Sequence, residues 1–443
     1  MAPSRIWLRR AWTCSSETFG TAHTLQNRTD VLLCPAVELL RNRSLAAVLV
    51  AETVSLTGSA MTFVALPWFV LATTGSTARM GWVLAAELIP VGLFGIPSGA
   101  VIARLGAKRT MNISDAARAP LMALIPILHW TGHLSFGALL GLTFLVGCFL
   151  APYYSSSRLI LPEVVGEDEQ LVAQGSAFVQ AANQLTQLGG PIVGGLLIAW
   201  IGAPKVLLID AVTYAFSFCV ILTFVRAGKR VAPDESSRGL FAGLRYVMRD
   251  KLLGPTLLVA AVLNFVAQGL VATLPVLVFR RYGADAKIVG FLFAAFGGGA
   301  LGGSILAAGI VKKIPLLRLA ATAILVMALP LWLLAVQMPW ALVIAVLAAF
   351  GFCAPLVNAP LLAVMTVRTP EALRPKVITA VMTISSIIGP LGFLAAGFGL
   401  QYVSLTIVFL LTAAGFTLGA IAFSAAVRKG DVPAAPAVPE PAI

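Results

Sequence analysis

The chain has 443 residues, of which 59% are hydrophobic and only 11% are charged, and its mean hydropathy is +0.94. Soluble domains carry about 25% charged residues, so this composition excludes a soluble globular protein and predicts an integral membrane protein. The net charge of +13 does not indicate nucleic-acid binding, because the Lys and Arg residues fall between apolar runs and not on one patch.

The two ends of the chain differ from its middle. Residues 1–44 contain six Arg residues but lack the apolar core of a signal peptide. Two interpretations are open: a disordered cytoplasmic tail, or a mis-assigned start codon with the protein beginning shortly before "ELLRNRSL". The absence of helical periodicity favours the second. The Pro/Ala-rich C-terminal tail, 428–443, is predicted to be disordered.

Apolar runs divide the remaining chain into membrane spans, each of which needs about 20 residues. This length predicts an all-α integral membrane protein with twelve transmembrane helices, at 45–72, 79–103, 111–129, 135–157, 173–199, 205–225, 255–279, 288–311, 316–337, 340–365, 377–400 and 403–427. A long polar connection, 226–254, separates the first six spans from the last six. We therefore predict an N-terminal six-helix bundle, 45–225, a cytoplasmic linker, and a C-terminal six-helix bundle, 255–427.

The basic residues predict the orientation of these spans. With the N-terminus inside, the inner segments hold 25 of the 31 Lys and Arg residues and the outer loops hold 5. This bias places both termini in the cytoplasm. We expect a multi-pass protein of the plasma membrane, specifically of a bacterial inner membrane.

Acidic residues inside spans are costly and are functional candidates by default. Glu52 and Glu87 lie about 12–13 Å inside their spans at 1.5 Å per residue. A low-dielectric cavity favours the neutral form of a carboxylate, which suits a proton carrier. Both residues are therefore proton-coupling candidates, and a structural hydrogen-bonding role is an equally open interpretation. For Asp115 and Asp210 the structural role is favoured.

The two halves of the chain resemble one another. "ALPWFVLATTGSTARMGW" (65–82) lies against "TLPVLVFRRYGADAKIVGF" (273–291), with Leu-Pro and two Gly positions in the same order. "GGPIVGG" (189–195) lies against "IGPLGF" (388–393), so that two Gly-Pro pairs coincide. Duplication of a six-span unit explains both matches.

These features resemble the major facilitator superfamily, over about residues 41 to 428. Within it the chain is most similar to the drug:proton antiporter branch that holds macrolide efflux proteins and the enterobactin exporter. The resemblance rests on "FVALPWFVLATTGS", "GAVIARLGAKR", "SSSRLILPEVV" and "GGPIVGG". It implies two pseudo-symmetric bundles that move around a central cavity.

The resemblance also implies a cytoplasmic gating loop after the second span. Its predicted members are Gly99, Arg104, Gly106, Lys108, Arg109, Asp115, Arg118 and Arg158. The acidic position of the family motif is Ala103 here, which puts the family's cytoplasmic latch in doubt. Asp115 is one replacement, and a local i,i+3 pair with Arg118 is the simpler interpretation. The loop is also explained as an anchor of the positive-inside pattern.

The fifth span carries Gly and Pro where a membrane helix should be strongest. Small faces let helix backbones approach closely in lipid, and proline is tolerated where neighbours satisfy the freed carbonyl. We predict a hinge and packing surface here, repeated in the eleventh span; ordinary tight packing is the alternative. Its residues are Gly190, Pro191, Gly194, Gly195, Gly389 and Pro390.

Neutral polar residues in the spans are candidates for substrate contacts. Helical spacing or the family's cavity-lining spans point to Ser55, Ser59, Tyr153, Tyr154, Gln180, Asn183, Gln184, Gln187, Asn264, Gln268 and Asn358. Each is equally explained as interhelical hydrogen bonding. The implied wall is mostly apolar, which favours a lipophilic or weakly cationic substrate.

The sequence carries no nucleotide loop, nucleophile triad or metal cluster, and "FGGGALGG" (296–303) lies inside a span. We therefore predict no enzyme, no cofactor and no metal, and energy from an ion gradient. The predicted function is proton-coupled export of a hydrophobic or amphipathic small molecule (a drug, an antibiotic or a siderophore-like metabolite). The predicted partners are this substrate, protons and the lipid bilayer, with a monomeric protein. The alternatives are a metabolite importer or facilitator, and a non-transporting receptor or scaffold.

Overall fold

The computed structural model describes residues 43–165, 169–226, 240–250, 252–310, 314–370 and 373–430. Most of the predicted N-terminal tail and the stretch after 430 lie outside these ranges. The described chain forms α1 (Arg43–Thr74), α2 (Thr77–Leu105), α3 (Ala107–Trp130), α4 (Phe136–Val165), α5 (Glu169–Ile201), α6 (Ala203–Phe224), α7 (Leu240–Arg249), α8 (Leu253–Arg281), α9 (Ala286–Ile310), α10 (Leu316–Ala328), α11 (Trp340–Arg368), α12 (Arg374–Tyr402) and α13 (Leu405–Gly430).

The predicted spans correspond to α1–α6 and α8–α13. Eleven helices of the described residues are long and apolar enough to cross a membrane. The remaining one, α3, forms over the third predicted span but carries charged residues in its interior. It packs between α4 and α6, so neighbouring helices cover its polar side chains. The all-α membrane fold with twelve spanning helices is therefore confirmed.

Two local features differ from the prediction. The linker contains a further helix, α7, whose strongly amphipathic sequence buries Val247 against Leu253, Leu257 and Val377. The ninth predicted span is α-helical only to Ala328 and continues as a 3-10 helix, Leu329–Ala335, with a proline at its start. Proline removes a backbone donor and clashes with the preceding turn, which ends the regular α-helix there.

The same contacts occur in both halves. In the N-terminal half α1 packs against α5 and α6, α2 against α4, and α3 against α4 and α6. In the C-terminal half α8 packs against α12 and α13, α9 against α11, and α10 against α11 and α13. Every pair in the first set has its counterpart in the second. This correspondence gives the two pseudo-symmetric six-helix bundles that the internal repeat predicts.

Two extended contacts join the halves: α2 with α12, and α5 with α9. We call these contacts the two seams. They are also symmetric, because each joins the second helix of one half to the fifth helix of the other. The bundles therefore meet along four helices.

Candidate functional site

Glycines form the closest approach of α5 and α9. A Cβ atom on Gly195 would lie 2.7 Å from Gly290 Cα and 2.9 Å from the carbonyl oxygen of Ala286. A Cβ atom on Gly290 would lie 2.9 Å from the carbonyl oxygen of Pro191. Real Cβ atoms do not approach backbone so closely, so this seam requires glycine at both positions.

The other seam has the same construction. A Cβ atom on Gly397 of α12 would lie 2.8 Å from Gly81 Cα and from the carbonyl oxygen of Thr77. Gly81 and Gly290 occupy equivalent places in the internal repeat, immediately before an aromatic residue. Thus both seams bring two helix backbones into direct contact.

The predicted hinge residues have two kinds of neighbour. Gly190 and Gly194 face Ala60 and Met61 of α1, within their own half. Gly389, which precedes the buried Pro390, faces Gln268 of α8, also within its own half. Pro191 and Gly195 of the predicted set reach across a seam to Gly290. The helices α5 and α12 therefore use one small face for their own bundle and another for the opposite bundle.

Aromatic pairs bridge the halves at the end that is predicted to be outside. Ring centroids are 5.7 Å apart for Phe63 and Phe293, and 5.9 Å apart for Trp68 and Phe279. A third pair, Trp82 with Phe398, has its centroids 6.1 Å apart beside the contact of α2 with α12. All three are edge-to-face contacts, a favourable geometry for aromatic rings. They close the assembly at this end.

The seams part toward the opposite end of the molecule. The contact of α2 with α12 continues to Gly92, whereas Gly95 and Gly99 have no neighbouring atom within 4 Å of a Cβ position. On α5, the side chains of Gln184 and Gln187 are exposed. Thus α2 and α12 separate beyond Gly92, toward the predicted cytoplasmic end, and polar side chains of α5 are exposed in the described chain.

Asp115 and Arg118 lie deep inside the N-terminal half, away from the loop that begins α3. Their side chains form an ion pair and are 0% and 1% exposed. The Arg118 guanidinium lies between two tyrosine rings, 4.1 Å from the centroid of Tyr153 and 4.3 Å from that of Tyr214. Ser217 of α6 donates a hydrogen bond to the second oxygen of Asp115, at 2.7 Å. The pair is therefore fully enclosed by α4 and α6.

Asp210 of α6 is the second enclosed carboxylate. Its oxygens accept hydrogen bonds from Thr62 of α1 at 2.6 Å and from Thr213 at 3.1 Å. Gly58 of α1 leaves room for this arrangement, because any side chain there would collide with Asp210 and Thr213. Tyr214, one turn along α6, shares a 3.0 Å hydrogen bond with Ser59. These contacts bind α6 to α1.

Glu52 and Glu87, the two proton-coupling candidates, differ in their surroundings. Glu52 is 3% exposed, and its Oε2 atom has no hydrogen-bond partner in the described part of the chain. Glu87 is half-buried on α2, within electrostatic reach of Asp210. Ser55, three residues beyond Glu52, is also fully buried.

The acidic residues of the spanning helices all lie in the N-terminal half. The helices α1–α6 contain Glu52, Glu87, Asp115, Glu163, Glu169 and Asp210, whereas α8–α13 contain no Asp or Glu. Any carboxylate chemistry within the spanning helices therefore belongs to the N-terminal half. The spanning helices of the C-terminal half offer only neutral polar groups and a few basic residues near helix ends.

The remaining cavity candidates are divided between exposed and packed positions. Tyr154 and Asn358 are exposed, as is Gln180, while Asn183 is half-buried. By contrast, Asn264 donates a 3.0 Å hydrogen bond to the carbonyl oxygen of Ser385, linking α8 to α12. Asn264, like Gln268 beside Gly389, therefore acts as an interhelical contact in this conformation.

A carboxylate at the end of α4, which the sequence does not single out, contacts the predicted gating loop. Arg104, Arg109 and Arg158 are exposed near this loop, and Gly106 adopts a φ of +82° between α2 and α3. Glu163, at the end of α4, accepts a 3.1 Å hydrogen bond from the backbone N–H of Ala107. An acidic group at a helix N-terminus is favourable because it meets the positive end of the helix dipole.

Some residues of the buried polar site and the seams could have been identified from sequence patterns, and others could not. Asp210, Tyr214 and Ser217 recur at helical spacing on one face of α6, which a search for polar stripes would have found. Gly397 carries no such signal, because isolated glycines are common in this chain. Its importance depends on a neighbour more than 300 residues earlier in the sequence.

Comparison with known proteins agrees with this architecture. The family model described as Major Facilitator Superfamily matches residues 48–393. The multidrug efflux pump Tap of Mycolicibacterium fortuitum is 28% identical over 373 residues, which cover 80% of this chain and 88% of the pump. Tap of Mycobacterium tuberculosis (strain ATCC 25618 / H37Rv) is 24% identical over 365 residues, 79% of this chain and 85% of the pump.

Solved structures show the same fold. The nucleoside transporter NupG matches with a TM-score of 0.71 at 14% identity, covering 87% of this chain and 99% of that one. A bacterial homolog of the human lysosomal transporter Spinster, solved in an inward-facing and occupied conformation, matches with a TM-score of 0.69 at 16% identity, covering 88% and 97%. With its paired bundles and a family match that spans most of its length, the chain belongs to the Major Facilitator Superfamily of membrane transporters.

Proposed function

We propose that this transporter exports a hydrophobic or amphipathic small molecule in exchange for protons, by alternating access. The observation that carries the export direction is the similarity to multidrug efflux pumps over 80% of the chain. The mostly apolar spans, with few neutral polar side chains facing the space between the halves, suit a drug, an antibiotic or a siderophore-like metabolite.

Proton coupling is assigned to the N-terminal half. A membrane potential supplies about 2.3 kcal/mol per charge per 100 mV, enough for useful substrate accumulation when one proton enters per cycle. Glu52 is the preferred carrier because its carboxylate is buried with one oxygen unpaired by the described protein. Glu87, half-buried on α2 and within electrostatic reach of Asp210, is the second candidate.

The halves exchange access by rocking at the two seams. Glycine-lined contacts allow one backbone to slide on another without side chains interlocking. The predicted domain limits, 45–225 and 255–427, define the moving units, with 226–254 as the linker. We further propose that both termini are cytoplasmic, that the protein is a monomer, and that it resides in a bacterial inner membrane.

Efflux from drug-loaded cells, with and without a protonophore, tests the energy source. We expect collapse of the proton gradient to reduce efflux at least 10-fold. Undiminished efflux would contradict proton coupling, and inward accumulation driven by the gradient would favour the importer.

The carrier assignment is tested by Glu52→Gln and Glu87→Gln in reconstituted vesicles. We expect at least one variant to lose proton-driven transport while it retains substrate exchange without a gradient, since exchange needs no net proton movement. Asp285→Asn is the matched control, because its carboxylate lies between α8 and α9, outside the spanning helices, and an Asn oxygen can still accept from the backbone N–H of Lys287. Full proton-driven transport by both test variants would overturn the assignment.

A further inference from the structure

Seven buried polar atoms of the N-terminal half have no hydrogen-bond partner among the described residues, and four of them belong to Tyr153 and the side chains that interact with it. These four are Glu52 Oε2, Ser55 Oγ, Tyr153 OH and Arg118 Nε. Their side chains are 3%, 0%, 1% and 1% exposed. Leaving a buried polar group unsatisfied costs about 1–3 kcal/mol, and native interiors commonly satisfy such groups with ordered water.

These atoms belong to one neighbourhood. Glu52 and Ser55 are one turn apart on α1, and both lie within interaction range of Tyr153 on α4. The Tyr153 ring covers the Arg118 guanidinium at 4.1 Å. The four groups therefore lie close together where α1, α3 and α4 meet, and we call this region the α1–α3–α4 chamber.

We propose that ordered water molecules bind in the α1–α3–α4 chamber, and that these waters and the Tyr153 hydroxyl relay a proton between Glu52 and Asp115. This inference rests on the proposed proton coupling and extends it. In each transfer the Tyr153 oxygen accepts one proton from water as its own proton moves to the next acceptor. The hydroxyl is thereby regenerated, and the net change is one proton lost by one carboxyl group and gained by the other.

The proposed relay ends at Asp115, which is the ion-pair partner of Arg118. In the present arrangement the guanidinium contacts Asp115, which also accepts from Ser217. A proton arriving on Asp115 neutralises the partner of Arg118, whose charge then depends on the two tyrosine rings and the nearby Asp210. Protonation of Asp115 thus weakens its ion pair with Arg118 inside the N-terminal bundle. The other ionisable groups around this region are Glu87 on α2, Tyr154 on α4, and Asp210 and Tyr214 on α6.

Radiolytic hydroxyl-radical labelling of the purified transporter tests for the waters directly, because bound water generates radicals that oxidise adjacent side chains. Tyr214 is the matched control, because it is only 2% exposed and its ring also lies against the Arg118 guanidinium. Unlike Tyr153, its hydroxyl forms a hydrogen bond, with Ser59. We expect at least 5-fold more labelling of Tyr153 than of Tyr214. Equal, low labelling of both residues would overturn the proposal.

Tyr153→Phe tests the relay, since it keeps the ring over Arg118 and removes only the hydroxyl. We expect proton uptake coupled to efflux, followed by a pH dye inside vesicles, to fall at least 10-fold, with gradient-free substrate exchange preserved. Tyr214→Phe should keep coupling within about 2-fold. If wild-type efflux is proton-linked and Tyr153→Phe remains normal, the relay is wrong and the proposed function stands. If wild-type efflux ignores the proton gradient, the proposed function itself fails, while the labelling result still reports on the waters.

Discussion

Gly81 of α2 lies against Gly397 of α12 with no side chain between the two backbones. The equivalent contact of Gly195 with Gly290 closes the second seam. Helices that meet through backbone atoms have a smooth common surface, so they can shift with little steric resistance. The halves are therefore held together by contacts that favour both close packing and relative movement.

Adding a single methyl group to this surface should impair the transporter. In Gly81→Ala the new Cβ atom would lie 2.8 Å from the carbonyl oxygen of Phe393, so the helices must separate. We expect at least a 5-fold loss of efflux. Gly141→Ala is the control, because that exposed position on α4 has no atom within 4 Å and alanine favours the helix by about 1 kcal/mol. Normal efflux by Gly81→Ala would contradict the requirement for glycine.

Locking the closed end should stop turnover. Cysteines replacing Trp82 and Phe398, whose rings are 6.1 Å apart across the halves, can be joined by a short bifunctional thiol reagent in a background without the native cysteines. We expect at least a 10-fold loss of efflux, restored when a cleavable linker is reduced.

The control for this crosslink joins two helices of the same half. Phe291 and Trp340, on α9 and α11, have ring centroids 6.3 Å apart. Linking cysteines there should leave efflux within about 2-fold of normal. If the transporter crosslinked at positions 82 and 398 exports at its usual rate, rocking of the bundles is excluded.

The hydrogen bond from Thr62 to Asp210 should contribute measurably to stability. Thr62→Val keeps the side-chain shape and removes a donor to a buried carboxylate, at a cost of about 1.5–3 kcal/mol. We expect a lower melting temperature in detergent. Thr143→Val is the control, since the equally buried Thr143 hydroxyl bonds only a carbonyl of its own helix. Equal melting temperatures of the two variants would show that the hydrogen bond from Thr62 to Asp210 does not add to stability.

The linker helix α7 should detach when its buried face becomes charged. Val247 is 0% exposed against α8 and α12, while the adjacent Met248 is 59% exposed. A carboxylate placed in an apolar site without a partner is strongly unfavourable, so Val247→Asp should expose the linker to limited proteolysis. Met248→Asp should leave the cleavage rate unchanged. The same protection in both variants would mean that Val247 does not anchor the helix.

Periodicity and length were sufficient to predict the spanning helices, including α3, whose central Asp115 and Arg118 lower its hydropathy. A helix of this kind is acceptable only when neighbours satisfy its charges, and the sequence does not say which neighbours. In the structure these neighbours include the tyrosine rings of α4 and α6, which lie against the Arg118 guanidinium. The short helix α7 was not predicted, because its ten residues include both apolar and polar types within a long polar connection and are too few to span a membrane.

The candidate site was harder to predict, because most of its geometry depends on contacts between distant segments. The Gly-Pro stretch of α5 was selected from its sequence alone, yet its glycines divide between two surfaces: Gly190 and Gly194 face α1 of their own half, and Gly195 faces the opposite half. Asn264 was selected for the cavity, although its amide is engaged by Ser385. Helical spacing identifies a polar or small face but not the surface that the face meets.

The lack of Asp and Glu in α8–α13 means that substitutions in the two halves have different chemical consequences. Substitutions in the C-terminal half can alter the shape and polarity of the surface offered to cargo without removing any acidic group from within the bilayer. Under the proposed export function, the range of exported compounds can therefore change through the C-terminal bundle while the acidic groups of the N-terminal bundle stay in place.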